Sequence, residues 1–486
     1  MFVPALLLLG CDSGDSGDTA PVGSVDERVG VVVVGAGPAG LAAAIELEAA
    51  GADYVVLERE AEVGGAGRYA GGLMMFTGSS EQEASGIADG PDTLRAEWHE
   101  LTGGDPEDPW FLRFADDNVV QVHDWLAGFG ASWDPPKLDP SGGALPRIHP
   151  LTNGGQGLVD VLAAQVPGAR IRLGATADEL LVDGDRVVGV AWSDADGTHT
   201  LGAEAVIVAT GGFLRQLQKV RELYPDTPDE VLLYASAPEA DGAGFDMLLA
   251  AGAATQNLQA IGFYAHAHAD PADPHEEIVS PAVALNPWLN LEGRRFADEW
   301  QVNSFHVGRT RMDQPGASVW LVGDASLLET EYFRPSDAGT LYGITQLEAA
   351  GIAVSGDTLG GLAGDIGVPA ETMIATIDTW NDAVLGLGED PYRTELAQPG
   401  NELATPPYFA VPLGVSVAKN FGGVDTDVDG RVLRADGAPL EGVWAAGEVS
   451  GMAGGSLVGD YGFTGSLTAV VLSGRVAGRS AAAAAE

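Results

Sequence analysis

The chain has 486 residues, 45% of them hydrophobic, enough for a sizeable core and for two or three domains rather than one. Acidic residues number 70 against 24 basic ones, a formal net charge of −46, and such a surface repels phosphate backbones and excludes nucleic acid as a partner. The single cysteine, Cys11, excludes an internal disulfide, a Cys-ligated cluster and a CxxCH haem site.

In chain order, the first segment is 1–27. Phe2 to Leu9 is apolar and runs into Leu8-Leu9-Gly10-Cys11, which resembles a bacterial lipoprotein signal. In that reading Cys11 carries lipid after cleavage, and Asp12 to Asp18 is a flexible tether with too little apolar content to fold. The protein would then lie on the periplasmic side of a bacterial cell envelope, lipid-anchored. No basic residue precedes the apolar run and Leu9 is bulky for its place, so a misassigned start or a disordered tail stays open, with a cytoplasmic location. No later stretch reads as a membrane span of about 20 apolar residues.

Val29 to Val34 is a β-branched run, as expected of a buried parallel strand. Gly35-Ala36-Gly37-Pro38-Ala39-Gly40 follows at once, then a helical pattern from Leu41 to Ala50 that Gly51 stops. A second strand from Tyr54 to Leu57 ends at Glu58, which completes a Rossmann-type βαβ unit. The glycines let the backbone approach a pyrophosphate at the helix N-terminus, and Glu58 stands where a carboxylate accepts from ribose hydroxyls. NAD proteins share this unit, and the residues beyond it favour FAD. Arg59 and Glu60 lead into Gly64-Gly65-Ala66-Gly67 and Gly71-Gly72, a run that lets a loop lie against a flat cofactor. A strand–turn–strand reading fits Ile171 to Leu173 and Glu179 to Trp192. Ala205 to Val208 then forms a buried strand ending in Ala209-Thr210-Gly211-Gly212-Phe213. Any one of these glycines alone reads as a turn; their joint order points to FAD.

From about Leu258 to Asn420 the strand-and-glycine character gives way, with a helical pattern at Thr372 to Leu387. It returns in the strand Val443 to Ala446, in Gly447-Glu448, in Tyr461 to Gly465, and in a helical run from Ser466 to Ala477. The terminal AAAAAE reads as a frayed helix end. Two patterns invite a metal reading. Asp425, Asp427, Asp429, Gly430 and Asp436 have the spacing of an EF-hand loop, but flanking helices are absent. His266, His268 and His275 lie among Asp270, Asp273, Glu276 and Glu277, where a solvated acidic loop is the favoured reading. No metal is expected.

Eight stretches together resemble the flavoprotein family of soluble fumarate reductases and succinate dehydrogenase flavoprotein subunits. They are GAGPAGLAAAIELEAAGADYVVLER, GGAGRYAGGLM, HDWLAGFGASW, AVIVATGGF, EADGAGFDMLLAAGAA, LEGRRFADE, DIGVPAETMIATIDTWNDAV and GVWAAGEVSGMAGG. The likeness spans nearly the whole chain after Val29. It implies an α/β fold in which a Rossmann-type FAD-binding domain, 28–258 with 421–486, carries an inserted α+β capping domain, 259–420. Substrate would lie against the isoalloxazine, and hydride would pass between flavin N5 and a carbon of a C=C or CH–CH unit. By position, Gly35, Gly37, Gly40, Glu58, Arg59, Gly65, Ala177, Ala209, Gly211, Asp241 and Glu448 should hold FAD. Pro38, Ala39, Gly64, Ala66, Gly67, Gly71, Gly72, Thr210 and Gly447 belong to the same cradle. Ser466 and Leu467 should meet the flavin pyrimidine edge, where a helix N-terminus favours negative charge. No counterpart exists of the histidine to which succinate dehydrogenases attach FAD, so the cofactor would be non-covalent. With no haem or second flavin motif, the electron partner would be external: a quinone, a redox protein or oxygen.

The departures bear on the substrate. Fumarate reductases clamp two carboxylates with histidines and arginines, and one arginine delivers the proton. Here Tyr264, the region of Asn303 and Ser304, Lys419-Asn420 and Tyr461 stand at those places. Without the clamp, charge-assisted recognition of a dicarboxylate is lost, and fumarate is not the expected substrate. Tyr461 with Gly465 resembles the pair with which 3-ketosteroid dehydrogenases polarise a carbonyl; the bland alternative is a tyrosine packed under the flavin. The expectation is an oxidoreductase acting on an activated C=C or CH–CH bond of a small, less charged substrate. Tyr461 and Gly465 would anchor a carbonyl, Tyr264 would move the proton, and Lys419 would supply one positive contact. Arg309 and Arg311 could restore the missing arginine by a shifted register. The alternatives are a 3-ketosteroid 1-dehydrogenase-like desaturase, or a catalytically lapsed flavoprotein serving in electron transfer.

Overall fold

The structure is a computed structural model. It describes residues 25–486, apart from 140–141, 228–231, 266, 302–303, 335–336, 394–400, 452–456 and 460–461. Cys11, His266, Asn303 and Tyr461 therefore lie outside the described residues.

The valine run forms β1 (Glu27–Val34), whose last four residues are buried, as a strand covered on both faces requires. It feeds α1 (Pro38–Ala50), with proline in the first turn and Gly51 closing the helix in the left-handed region at φ 69°. The chain returns as β2 (Tyr54–Glu58), parallel to β1 with Val31 opposite Tyr54 and Val34 opposite Leu57. β3 (Ile171–Leu173) extends the sheet beyond β2. Next, β4 (Thr176–Asp183), β5 (Arg186–Asp194) and β6 (Gly197–Val208) form an antiparallel meander, and β6 also runs parallel to β1 on its free side. The C-terminal segment adds β7 (Arg431–Leu433) and β8 (Pro439–Ala445), and β8 pairs parallel with the end of β6, Val443 opposite Val206. One eight-stranded sheet is thus built from both ends of the chain. The aspartate run that imitates an EF-hand lies at this β7–β8 hairpin. There Asp427 accepts from the Asp429 and Arg431 amides and pairs with the Arg431 guanidinium at 2.6 Å.

One face of the sheet is covered by α1 and by the last helix, α2 (Leu467–Ala484). Glycines allow their close contact. A Cβ on Gly474 would lie 2.2 Å from the Ala39 carbonyl oxygen, and one on Gly478 2.6 Å from that of Ala43. The Arg475–Glu46 ion pair closes the same interface. The terminal alanines do not fray: α2 continues to Ala484, with Ala481 and Ala482 buried, because they complete the apolar layer on α1.

Beyond this sheet, Val415–Asn420 is the central strand of a three-stranded sheet, parallel to Leu232–Tyr234 and antiparallel to Ile261–Tyr264. Leu232–Tyr234, which precedes residue 258, is thereby joined to strands of the 259–420 region. Two four-stranded sheets and the helices Leu359–Asp365 and Ala370–Val384 complete that region around two further apolar clusters. The LEGRRFADE stretch is structural here. Glu299, fully buried, receives Arg295 at 2.6 Å and Arg393 at 3.0 Å. Among the described residues, no helix is long and apolar enough to cross a membrane.

Candidate functional site

The parallel strands β1, β2 and β6 end side by side, and their carboxyl ends open on a cavity of about 400 Å³. Gly35 turns the chain away from β1 at φ +98°, so close to the end of β6 that a Cβ would meet the Ala209 carbonyl oxygen at 2.6 Å. Gly37, Gly65, Gly71 and Gly211 differ. The nearest atom to a Cβ on Gly37 is 3.9 Å away and on Gly65 3.7 Å, and nothing lies within 4 Å on Gly71 or Gly211. All four line the cavity, so bare backbone faces it. The N-terminus of α1 has no side-chain cap and no acidic residue in its first turn, which leaves its free N–H groups suited to an anion.

The Glu58 carboxylate accepts from the Ala36 amide at 2.7 Å and the Glu60 amide at 2.9 Å. Arg59 pairs with Asp241 and donates to the Glu239 carbonyl at 3.0 Å. Pro38, Ala39, Ala66, Gly67, Gly72, Ala177, Ala209 and Thr210 also line the cavity. Tyr264, Lys419, Gly447, Glu448, Gly465, Ser466 and Leu467 line it as well. Here Lys419 Nζ donates to Ser466 Oγ at 3.1 Å and sits over the Phe305 and Phe421 rings at 5.2 and 5.7 Å. Burial pulls its ammonium down to about 8, opposed by the charges of Glu448 and Asp139. Burial likewise pushes the Glu448 carboxyl up to about 7, against the Asn420 amide and the Lys419 charge. Tyr264 stacks on Phe305 with centroids 5.1 Å apart, and burial raises its phenol well above the ordinary value.

Of the residues singled out from the sequence, Gly40 and Gly64 do not line the cavity. A Cβ on Gly40 would meet the Gly35 carbonyl oxygen at 1.9 Å, and one on Gly64 the Arg68 side chain at 2.6 Å; both glycines serve packing of the turn. The shifted-register arginines are engaged elsewhere. Arg311 is fully buried and donates to the Ala317 and Leu413 carbonyls, while Arg309 lies over Tyr224. Ser304 caps the helix Phe305–Met312. The histidine-rich loop is dispersed: His268 bonds the Pro412 carbonyl, Asp270 pairs with Arg334 and Glu276 with Arg215. Thr176, Ser236, Glu239 and Thr464 also line the cavity. Thr176, Glu239 and Thr464 sit within or beside the quoted stretches, but those stretches do not mark them as facing a ligand. Asp139 also carries no motif; it reaches the site by accepting from the Thr464 amide at 3.3 Å.

The cradle fits a large planar ligand with an anionic tail. Open glycine backbone and an uncapped helix N-terminus suit a pyrophosphate, and the Glu58 carboxylate suits a ribose. Thr210 Oγ1 and Glu239 Oε2, buried without a hydrogen-bond partner, leave polar atoms for a ligand to satisfy.

The comparisons with known proteins agree with that fit. A family model described as an FAD binding domain matches residues 30–459. The chain is similar to the fumarate reductase (cytochrome) of Shewanella frigidimarina, 29% identical over 94% of this chain and 77% of that protein. It is also similar to a KsdD-like steroid dehydrogenase of Mycobacterium tuberculosis, 27% identical over 93% of this chain and 95% of that protein. The fold matches the crystal structure of the 3-ketosteroid Δ1-dehydrogenase of Sterolibacterium denitrificans with a TM-score of 0.75 at 18% identity, over 94% of this chain and 100% of that one.

Proposed function

The chain belongs to the FAD binding domain family and is an FAD-dependent oxidoreductase of CH–CH groups, and from that premise we propose that its substrate is a small carbonyl-bearing molecule rather than a dicarboxylate. FAD, bound without a covalent link, would supply hydride exchange with one carbon of an activated C=C or CH–CH unit. The segments 28–258 and 421–486 hold the cofactor through the glycine cradle, Glu58, Arg59, Asp241, Glu448, Ser466 and Leu467. The segment 259–420 covers the substrate.

One observation carries the reading of the substrate. Among the described residues lining the cavity, the only cations are Arg59, engaged by Asp241, and Lys419, whose charge is felt by the nearby carboxylates of Glu448 and Asp139. A dicarboxylate would meet more negative than positive charge there, without the bidentate partners that recognise it. The Tyr264–Phe305 stack instead offers an apolar wall, with the phenol protonated at neutral pH and able to give a proton to a carbon or carbonyl at its Oη. The likeness to a KsdD-like steroid dehydrogenase supports a 3-ketosteroid dehydrogenase-like desaturation as the second reading. Electrons reach or leave the site through an external quinone, redox protein or oxygen. A lipid anchor at Cys11 on the envelope's periplasmic side belongs to the same proposal; metabolic labelling with a fatty acid tests it.

The first test is the visible spectrum of purified protein, followed by heat release of the chromophore. Flavin bands with FAD freed intact are expected, and a colourless protein that takes up no FAD overturns the cofactor assignment. Flavin bleaching or reoxidation is then followed with enones, 3-ketosteroids, fumarate and succinate. Response to the ketones alone supports the proposal, and turnover of fumarate overturns it.

A further inference from the structure

The chain is poor in lysine, yet one stands half-buried in the cavity wall, near the end of the strand Val415–Asn420. Its ammonium is tethered to Ser466 Oγ at 3.1 Å, immediately before α2, and lies 5.2 and 5.7 Å from the centroids of the Phe305 and Phe421 rings. Ser466 is itself only 5% exposed and lines the cavity, so the pair presents one positive charge and one hydroxyl to whatever lies against the start of α2. An ammonium over two aromatic faces, in a site of low dielectric, acts strongly on a neighbouring charge.

We propose that Lys419 is a positioning residue for the cofactor rather than a substrate contact: held by Ser466, it stabilises the negative charge that reduction places on the pyrimidine edge of a bound flavin, and so raises the reduction potential. This inference rests on the reading that FAD occupies the cavity with that edge against Ser466. It accounts for a cation kept at a site with no carboxylate clamp. The groups facing Lys419 are Glu448 from the loop after β8, Asp139 from the loop bonded to Thr464, the Ser466 hydroxyl, the two phenylalanine rings and, across Phe305, Tyr264. The two carboxylates keep the lysine protonated near neutrality in spite of its burial.

The decisive measurement is the midpoint potential of the bound FAD in the full chain, by equilibration with a reference dye. Lys419→Met should weaken binding of the reduced form relative to the oxidised form about tenfold, a fall of about 30 mV for a two-electron couple. Lys419→Arg should restore most of it. The wild-type protein supplies a measurement that needs no variant to fold. From about pH 8 upward, where the lysine begins to lose its proton in the oxidised protein, reduction should draw that proton back. The potential should then steepen by about 30 mV per pH unit, one proton per two electrons. A potential unchanged in Lys419→Met, or no steepening above pH 8, with FAD bound stoichiometrically, overturns the inference and leaves the proposed function intact. Failure of the wild-type protein to bind FAD overturns both.

Discussion

The Glu58 carboxylate accepts the Ala36 amide at 2.7 Å, so the end of β2 and the turn after β1 are held by one buried side chain. Its other oxygen holds the Glu60 amide at 2.9 Å. Glu58→Ala would leave the Ala36 N–H unsatisfied, a loss of about 1–3 kcal/mol. The expected outcome is a lower unfolding midpoint in denaturant together with weaker retention of FAD on gel filtration. A variant as stable as wild type would show that water replaces the carboxylate.

Gly474 faces Ala39 across the first and last helices, and a side chain has no room there. Gly474→Ala would press a methyl group against backbone 2.2 Å away, and overpacking of this kind destabilises by about 1–3 kcal/mol. Gly168→Ala, at a position with nothing within 4 Å, is the matched control and should be close to neutral. Thermal melts of the two variants check the contrast.

Burial holds the Glu448 carboxyl at about 7 in the folded protein, above its ordinary value of 4.5. The folded state then binds more protons than the unfolded one between those values, so this group makes stability fall as pH rises from about 4.5 to 7 and keeps it low above. Glu448→Gln removes the titration while retaining an oxygen for the Asn420 amide. The variant should gain stability relative to wild type at pH 8 and show no gain at pH 4.5, as read from denaturant midpoints at the two values.

A net charge of −46 repels itself at low ionic strength. Raising salt from about 0.01 M to 1 M shortens the screening distance from about 30 Å to 3 Å, and the melting temperature should climb by several degrees. A flat or falling curve would mean that the ion pairs lost to screening outweigh the repulsion.

Tyr264→Phe removes only the hydroxyl and leaves the stack on Phe305 in place. If that hydroxyl moves the proton, turnover of whichever ketone is accepted should drop about 10²- to 10⁴-fold with the flavin spectrum unchanged. A loss confined to KM would make Tyr264 a wall of the site and nothing more.

The βαβ unit was readable because its signals are local: a valine run, a glycine turn, a helix and a terminal acid within one stretch. The structure separates what the glycine pattern merges. Gly37 and Gly65 are bare toward the cavity, whereas Gly40 and Gly64 are bare toward their own chain, and both demands write the same letter. Thr176, Glu239 and Thr464 adjoin or open patterned stretches, but a pattern of glycines and small residues does not tell which polar neighbour faces the cavity. The alanine-rich tail looked like a fraying end because small residues offer little area alone; their burial depends on α1, far away in sequence. Arg309 and Arg311 were near enough in number to be counted toward the site, but the helix that carries them turns both away.

The sheet and the helix pair both join segments far apart in the sequence, and Gly35 and Ser466 both line the cavity. A nascent chain therefore exposes the valine strands and the inner face of α1 until α2 has left the ribosome. The cavity wall would then be complete only once α2 is in place, and a frameshift or a protease cut that removes α2 would strip both that wall and the cover of α1 rather than merely weaken the enzyme.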